Sequence, residues 1–168
     1  REEGRVVLLE HEAKEVARAY GILSPITVLA KSEDEAVEAA RSIGYPVVLK
    51  VSSPQIIHKT DIGGVILNVN SDEEVRKAYR TIMNRVSRYA THARVYGVCV
   101  QKMVPKGKEM IIGAVRDPQF GHLIMFGLGG IYTNVLKDFS FRLSPVTLTE
   151  ARKMIQETKA YVLLRGIR

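Results

Sequence analysis

Cysteine is nearly absent from this sequence, with only Cys99 among 168 residues. That count excludes a disulfide-stapled scaffold and a metal site built from several thiolates. Long apolar runs are also missing. The longest uncharged one, residues 123–136, is too short to span a bilayer and contains glycines, so we predict no membrane partner. The first residues lead into no signal-like apolar core, which favours a reducing, cytoplasmic location.

The rest of the composition is that of a globular domain, with 46% hydrophobic and 26% charged residues. Lys and Arg exceed Asp and Glu by 25 − 18 = 7, which favours anionic partners such as nucleotides, acyl-CoA or an acidic subunit. Aromatic residues do not interleave with Lys or Arg as stacking platforms, so we predict no nucleic-acid partner. Low Asn, Gln and Cys contents favour a thermophile as the source.

Four helices are indicated by start signals and apolar spacing. A helix is predicted over residues 12–20, ending at Gly21. Three further helices begin with a hydroxyl residue followed three residues later by Glu, the capping-box pattern. The three pairs are Ser32 and Glu35, Ser71 and Glu74, and Thr147 and Glu150. Apolar stripes at helical spacing follow two of them, at Ala36, Val37, Ala40 and Ile43, and at Val75, Ala78, Ile82 and Val86.

Strand-like runs alternate with these helices, at residues 26–29, 47–51, 65–69, 95–100, 110–115, 123–126 and 132–136. Turns between them predict an antiparallel meander over residues 98–126. The fold class is α/β (α+β): a split βαβ small lobe over 1–100, with its helices on one face of a sheet, followed by a strand-rich lobe over 101–168. Two lobes joined near residues 101–104 favour a ligand held in a cleft.

Lys50 stands near the end of an apolar strand. An unpaired buried ammonium is costly, so this lysine either snorkels to the surface or faces an anion in a cleft. The loop that follows, residues 52–64, is polar and ends in Gly63 and Gly64. Paired glycines let backbone N–H groups approach an anion as a nest does, and the P-loop signature is absent. The combination favours a phosphate-binding loop beside the lysine.

His58 lies in this loop with Lys59 and Asp61 beside it. A lone loop histidine is commonly solvated. An imidazole can also accept a phosphoryl group, because its neutral nitrogen is nucleophilic near pH 7. The residues alone leave both interpretations open.

A second glycine-rich segment, residues 127–130, follows an apolar strand. It indicates either a tight turn or the close approach of a ligand. Further along, Asp138 has the chemistry of a metal or hydroxyl ligand, and Arg142 that of a bidentate phosphate clamp. The two side chains can equally pair with each other on a strand face.

Five strings of this sequence carry a resemblance to known proteins. The strings are GYPVVLKV at 44–51, SPQIIHKTDIGGV at 53–65, RDPQFG at 116–121, FGLGGI at 126–131 and LKDFSFRLSP at 136–145. They resemble the ATP-grasp (beta) subunits of ADP-forming (NDP-forming) acetyl-CoA and other acyl-CoA synthetases. The resemblance covers nearly the whole chain, and the string at 53–65 is specific to that family.

The resemblance implies an ATP-grasp fold and a reversible reaction in which acyl-CoA, ADP and phosphate give the acid, CoA and ATP. It implies ATP/ADP and Mg²⁺ as cofactors. It also implies a partner alpha subunit that binds CoA and forms the acyl phosphate, in a hetero-oligomer, with phosphohistidine carrying the phosphoryl group between sites. The acyl specificity is then expected in the partner.

Site residues follow from the resemblance one by one. Lys50 matches the lysine that contacts nucleotide phosphates, and His58 matches the beta-subunit phosphoryl carrier. Gly63 and Gly64 match the mobile phosphate loop. With the lysine and the glycines, Arg142 supplies the charge neutralisation that phosphoryl transfer requires.

The adenine side of the site is implied in the same way. The hinge faces adenine through backbone groups, and an acidic residue stands on the next strand. The corresponding residues here are Gln101, Lys102, Met103 and Val104 in the hinge, and Glu109 on the strand.

The sequence departs from the family pattern in three places. Lys102 and Asn134 stand where Glu is common. The family's module also continues past residue 168 with an Asp–Asn pair expected to hold Mg²⁺, so we expect the chain to be truncated at its C-terminus and its metal ligands stay unassigned.

Two alternatives stay open beside the leading hypothesis. One is another ATP-grasp ligase, such as a succinyl-CoA-synthetase-like subunit, against which the string at 53–65 argues. The other is a non-catalytic ATP-grasp regulatory module, against which the retained Lys50 and His58 argue.

Overall fold

The structure is a computed structural model that describes residues 5–130 and 133–166. The chain divides into two compact units, the first ending at Pro105 and the second beginning at Lys106. The elements in chain order are α1 (Glu10–Ala19), β1 (Thr27–Ala30), α2 (Glu33–Ile43), β2 (Val47–Ser52), β3 (Val65–Val69), α3 (Asp72–Tyr89), β4 (Gly97–Lys102), β5 (Met110–Asp117), β6 (Gly121–Leu128), α4 (Thr133–Leu136), β7 (Phe139–Leu143), α5 (Leu148–Glu157) and α6 (Tyr161–Leu164).

The first unit is built on a four-stranded sheet in the order β1-β4-β2-β3, with every neighbouring pair antiparallel. Strands β1 and β2 are therefore parallel to each other with β4 inserted between them. Strands β3 and β4 are likewise parallel to each other, with β2 inserted between them. Each pair is joined through a helix, so the predicted split βαβ arrangement is confirmed.

One face of this sheet forms the core of the first unit. Alternate residues of β2 and β4 point toward α2 and α3, because side chains alternate between the two faces of a strand. The two predicted helix stripes are buried there, with Ile43 partly buried at the end of its stripe. The core residues from the strands are Val47, Leu49, Val51, Val98 and Val100.

The predicted helix starts are confirmed. In all three, the N-cap hydroxyl accepts a hydrogen bond of 3.2 Å from the backbone N–H three residues later; the N-caps are Ser32, Ser71 and Thr147. The first helix begins at Glu10 and not at residue 12. It packs on β1, and its side chains reach the face of the sheet opposite α2 and α3. The prediction that helices cover only one face is thus wrong.

The second unit contains a three-stranded antiparallel sheet in the order β5-β6-β7, against which α5 packs. Ser140 on β7 donates a hydrogen bond of 2.8 Å to the carbonyl of Met154, and both residues are buried. This bond fastens the helix to the edge of the sheet.

Two strand predictions in this half are wrong. The meander begins at Met110, because β4 is buried along its length and pairs with β1 and β2 in the other sheet. Residues 133–136 form a short helix, since a short apolar run does not distinguish strand from helix by its period. Residue 132 lies outside the described residues.

None of the described helices combines the length and the apolar character needed to cross a bilayer.

Candidate functional site

Lys50 stands on β2, on the sheet face turned away from α2 and α3. Its Nζ donates to Glu10 Oε1 at 2.7 Å and to Gln101 Oε1 at 3.2 Å, and its side chain is 23% exposed. The ammonium is therefore half-buried and paired with a carboxylate of the first helix. The lysine therefore faces an anion, and this anion is a carboxylate of the same chain, which the sequence analysis did not predict.

A second lysine shares these partners. Lys14 Nζ donates to Glu10 Oε1 at 2.8 Å, to Thr27 Oγ1 at 3.1 Å and to Gln101 Oε1. Two ammonium groups thus bracket the same two oxygens, on a face formed by α1, β1, β2 and β4. We call Glu10, Lys14, Thr27, Lys50 and Gln101 the lysine cluster.

The sequence analysis missed Glu10 and Lys14. The available signal was their i,i+4 spacing, with Glu four residues before Lys, which places both on one side of a helix. It was overlooked because the helix was predicted to begin at residue 12.

Glu10 holds a carboxylate charge between the two lysines. Burial raises the pKa of this carboxyl, but hydrogen bonds from Lys14 and Lys50 outweigh that effect, and the pKa is lowered overall. The group is therefore ionised at neutral pH, and the lysine cluster contains two cations and one anion.

His58 is exposed in the loop that follows β2. The loop is closed at its base, where Val51 donates its N–H to the carbonyl of Gly64 at 2.8 Å. The predicted glycine nest is not formed in this structure, because Gly63 and Gly64 donate their N–H groups to Thr60 at 2.9 Å and Lys59 at 2.7 Å within the loop.

The two glycines also have a packing role. Gly63 has φ +64°, a conformation that favours glycine, and its carbonyl accepts from Arg85 Nη1 at 2.9 Å. A Cβ on Gly64 would lie 2.7 Å from Val51 Cγ1 and 3.0 Å from the carbonyl oxygen of Lys59. Glycine is therefore required here by the fold, whatever the loop binds.

The predicted hinge belongs to the first unit. Gln101 and Lys102 end β4, and Met103 donates its N–H to the carbonyl of Pro46 at 3.1 Å. The Lys102 ammonium donates to the carbonyls of Gly44 at 2.8 Å and Tyr45 at 2.9 Å, directly after α2. It therefore holds the end of that helix against the sheet, which gives a structural reason for lysine at this position.

Val104 is exposed and, with Leu23, Ser24, Pro25 and other residues, lines a shallow depression beside β1 in the first unit. The adenine contact predicted for Val104 stays a prediction.

Glu109 lies in the second unit beside the glycine-rich segment. It borders a cavity of about 640 Å³, whose lining includes Gly129, Gly130 and Leu163. Its carbonyl accepts from the Gly129 N–H at 2.8 Å, and a Cβ on Gly130 would lie 2.4 Å from its carboxylate. The glycines let the backbone come close to Glu109, and the cavity has the volume of a small-molecule site.

Asp138 and Arg142 do not pair with each other. The Asp138 carboxylate accepts from the N–H groups of Lys159 at 2.9 Å and Ala160 at 2.8 Å. The Arg142 guanidinium forms an ion pair with Glu157 of α5. Both side chains fasten helices to the second sheet, and the predicted phosphate clamp stays a prediction. The side chain of Asn134 lies outside the described part of the chain.

Within residues 5–130 and 133–166, no three His, Cys, Asp or Glu side chains come close enough to hold a metal ion together. Of the carboxylates described above, that of Glu10 is occupied by two lysines, that of Asp138 by backbone N–H groups and that of Glu157 by an arginine, while that of Glu109 belongs to no such group of three among the described residues. These residues do not fit a Mg²⁺ site, so no chemical step is assigned to a metal held by this chain.

Comparisons with known proteins show which family this chain belongs to. The family model of the ATP-grasp domain matches residues 1–168, so the chain contains an ATP-grasp domain, a nucleotide-binding module. The beta subunit of ADP-forming acetate–CoA ligase I from Pyrococcus furiosus is 52% identical over 161 residues, covering 96% of this chain and 69% of that protein. The chain belongs to the family of these ligase beta subunits.

Two solved structures of one synthetase also match the fold of this chain. Acetyl-coenzyme A synthetase 1 of Ca. Korarchaeum cryptofilum, in complex with coenzyme A, Ca-AMPCP and HgCl⁺, matches with a TM-score of 0.96 and 53% identity, over 99% of this chain and 73% of that one. The same synthetase with coenzyme A and Mg-AMPPCP has its phosphohistidine segment pointing towards the nucleotide-binding site. It matches with a TM-score of 0.84 and 48% identity, over 99% of this chain and 71% of that one.

Proposed function

We propose that this chain is the nucleotide-binding component of an ADP-forming acid–CoA ligase, and that it transfers a phosphoryl group between phosphohistidine and ADP. The observation that carries the proposal is the Lys50 ammonium, which is oriented on the sheet by Glu10 and Gln101 directly before the loop that presents His58. A positioned cation on the strand and an imidazole on the loop that follows it are the two groups that phosphoryl transfer requires.

The proposed step balances as a displacement at phosphorus. The P–N bond of phosphohistidine breaks, and a new P–O bond forms to a β-phosphate oxygen of ADP, giving ATP and free imidazole. In the reverse direction, His58 attacks the γ-phosphorus of ATP and ADP leaves. Lys50 neutralises phosphate charge in both directions, which lowers the repulsion between nucleophile and phosphate.

The remaining site residues enter as parts of the same proposal. Backbone groups of Gln101, Lys102, Met103 and Val104 face the adenine, Glu109 provides a polar contact to the nucleotide, and Gly63 and Gly64 end the phosphate loop. Arg142 contributes positive charge once released from Glu157. Mg²⁺ is proposed to arrive with the nucleotide phosphates, a proposal supported by the Mg-AMPPCP complex of the Korarchaeum synthetase.

A partner completes the reaction. The Pyrococcus relative is a beta subunit, and the Korarchaeum synthetase binds coenzyme A as well as nucleotide. We therefore propose an alpha partner that binds CoA, forms the acyl phosphate and passes the phosphoryl group to this chain in a hetero-oligomer.

Substitution of Lys50 tests the proposal. In the assembled ligase, Lys50→Met is expected to lower turnover on the order of 10²-fold or more, because loss of one charge-stabilising group has that typical effect. Lys77→Met, which removes the same charge from the exposed side of α3, is the matched control and is expected to keep full turnover. Wild-type turnover in a folded Lys50→Met ligase would contradict the phosphate role of Lys50.

A further inference from the structure

The lysine cluster carries a net charge that the proposed function does not explain. Lys14 and Lys50 contribute two positive charges and Glu10 contributes one negative charge, while Thr27 and Gln101 are neutral. The cluster therefore keeps a net charge of +1. Its members are largely shielded from solvent, with the side chains of Lys14, Glu10 and Lys50 about one fifth exposed at 18%, 22% and 23%.

The two lysines differ in how many of their N–H groups the cluster occupies. An ammonium has three donors. Among the described residues, Lys14 donates to three oxygens, those of Glu10, Thr27 and Gln101, whereas Lys50 donates to two. Lys14 is thus saturated inside the protein, and Lys50 keeps one N–H for an incoming ligand.

Glu10 alone would be a poor partner for a phosphate-binding lysine. A carboxylate 2.7 Å from the Lys50 ammonium orients it, but it also cancels the charge that a phosphate needs. Lys14, 2.8 Å from the same carboxylate oxygen, offsets that cancellation.

We propose that Lys14 is a positioning residue for nucleotide binding: it balances the charge of Glu10, so that Glu10 and Gln101 orient Lys50 without neutralising it. This inference rests on the proposed function. It assigns the first helix a role in phosphate affinity, and it predicts that the role depends on net charge and not on the presence of Lys14 itself.

The test measures ADP affinity of the assembled ligase in a two-residue charge cycle. Lys14→Met makes the cluster neutral and is expected to weaken ADP binding on the order of tenfold, the effect of one partly screened charge near the phosphates. Glu10→Gln keeps the acceptor oxygen but removes its charge, and is expected to tighten ADP binding. The double variant restores the charge of +1 and is expected to return to within about threefold of wild type.

Three comparisons separate charge from structure. Lys77→Met serves as the matched control for charge removal and is expected to bind ADP as wild type does. AMP, with fewer negative charges than ADP, is expected to respond less to each variant of the cluster. Thermal unfolding of each variant establishes that the protein compared is folded.

The outcomes distinguish this inference from the function on which it rests. If Lys50→Met does not weaken ADP binding, the proposed phosphate role of Lys50 fails first. If Lys50→Met weakens binding while Lys14→Met behaves like Lys77→Met, the role of Lys14 is overturned alone. It is also overturned if Lys14→Met weakens binding and adding Glu10→Gln does not restore it, because a merely structural contact would not be rescued by removing its partner's charge.

Discussion

Glu12 fastens the residues before α1 to the helix, and it does so as a carboxylate. Its oxygens accept from Arg5 at 2.7 and 2.9 Å and from the Leu9 N–H at 2.7 Å. The hydrogen bonds from Arg5, followed by that from Leu9, lower the pKa of Glu12 from 4.5 to about 2. A lowered folded-state pKa means that the stabilisation is present above pH 4.5 and is lost as the pH falls toward 2.

The measurement is the free energy of unfolding as a function of pH. Glu12→Gln is expected to be less stable than wild type at pH 7, and the difference is expected to shrink between about pH 4.5 and 2 as the wild-type carboxylate is protonated. Glu15→Gln, on the exposed side of the same helix, is the matched control. A stability difference that stays constant across this pH range would show that the Glu12 charge does not contribute to the free energy of unfolding.

Single residues were only partly predictable from the sequence. Lys50 stood out because a lysine in an apolar strand requires a partner, but the partner could not be read from the pattern. Glu10 lies forty positions away in the sequence, and only the folded sheet brings the two together. For Lys102, the missing information was likewise three-dimensional, since its acceptors are the carbonyls at the end of α2.

The loop between β2 and β3 makes a prediction at the scale of an element. Gly64→Ala is expected to lower the stability of the protein by about 1–3 kcal/mol, because the new Cβ would collide with Val51 and with the Lys59 carbonyl. Gly107→Ala, where a Cβ meets nothing within 4 Å, is the control. Thermal unfolding of both variants tests this, and equal stability would mean that the loop adapts without strain.

Helices were predicted more accurately than strands, for a physical reason. A helix start is encoded locally, as the hydroxyl of Ser32 three residues before Glu35 shows. Strand pairing is not local. β4 was assigned to a meander with its sequence neighbours, although its burial on both faces places it between β1 and β2.

At the scale of the whole molecule, the family could be predicted because several long strings of the sequence are typical of it. The string at 53–65 points to the beta subunits of ADP-forming acyl-CoA synthetases, and the 52% identity to the Pyrococcus furiosus beta subunit confirms this family. The carrier role proposed for His58 rests on that family and on the exposed position of the residue in its loop.

Phosphoryl labelling of His58 tests the central claim most directly. The assembled ligase is incubated with ATP labelled at the γ-phosphate and with Mg²⁺, and this chain is then examined for acid-labile, base-stable phosphate. The account predicts label on the wild-type chain and none on His58→Asn, with nucleotide binding retained and the acyl-phosphate step of the partner unchanged, because an amide nitrogen is not nucleophilic. Equal labelling of the Asn variant, or ATP formation that survives the substitution, would contradict it.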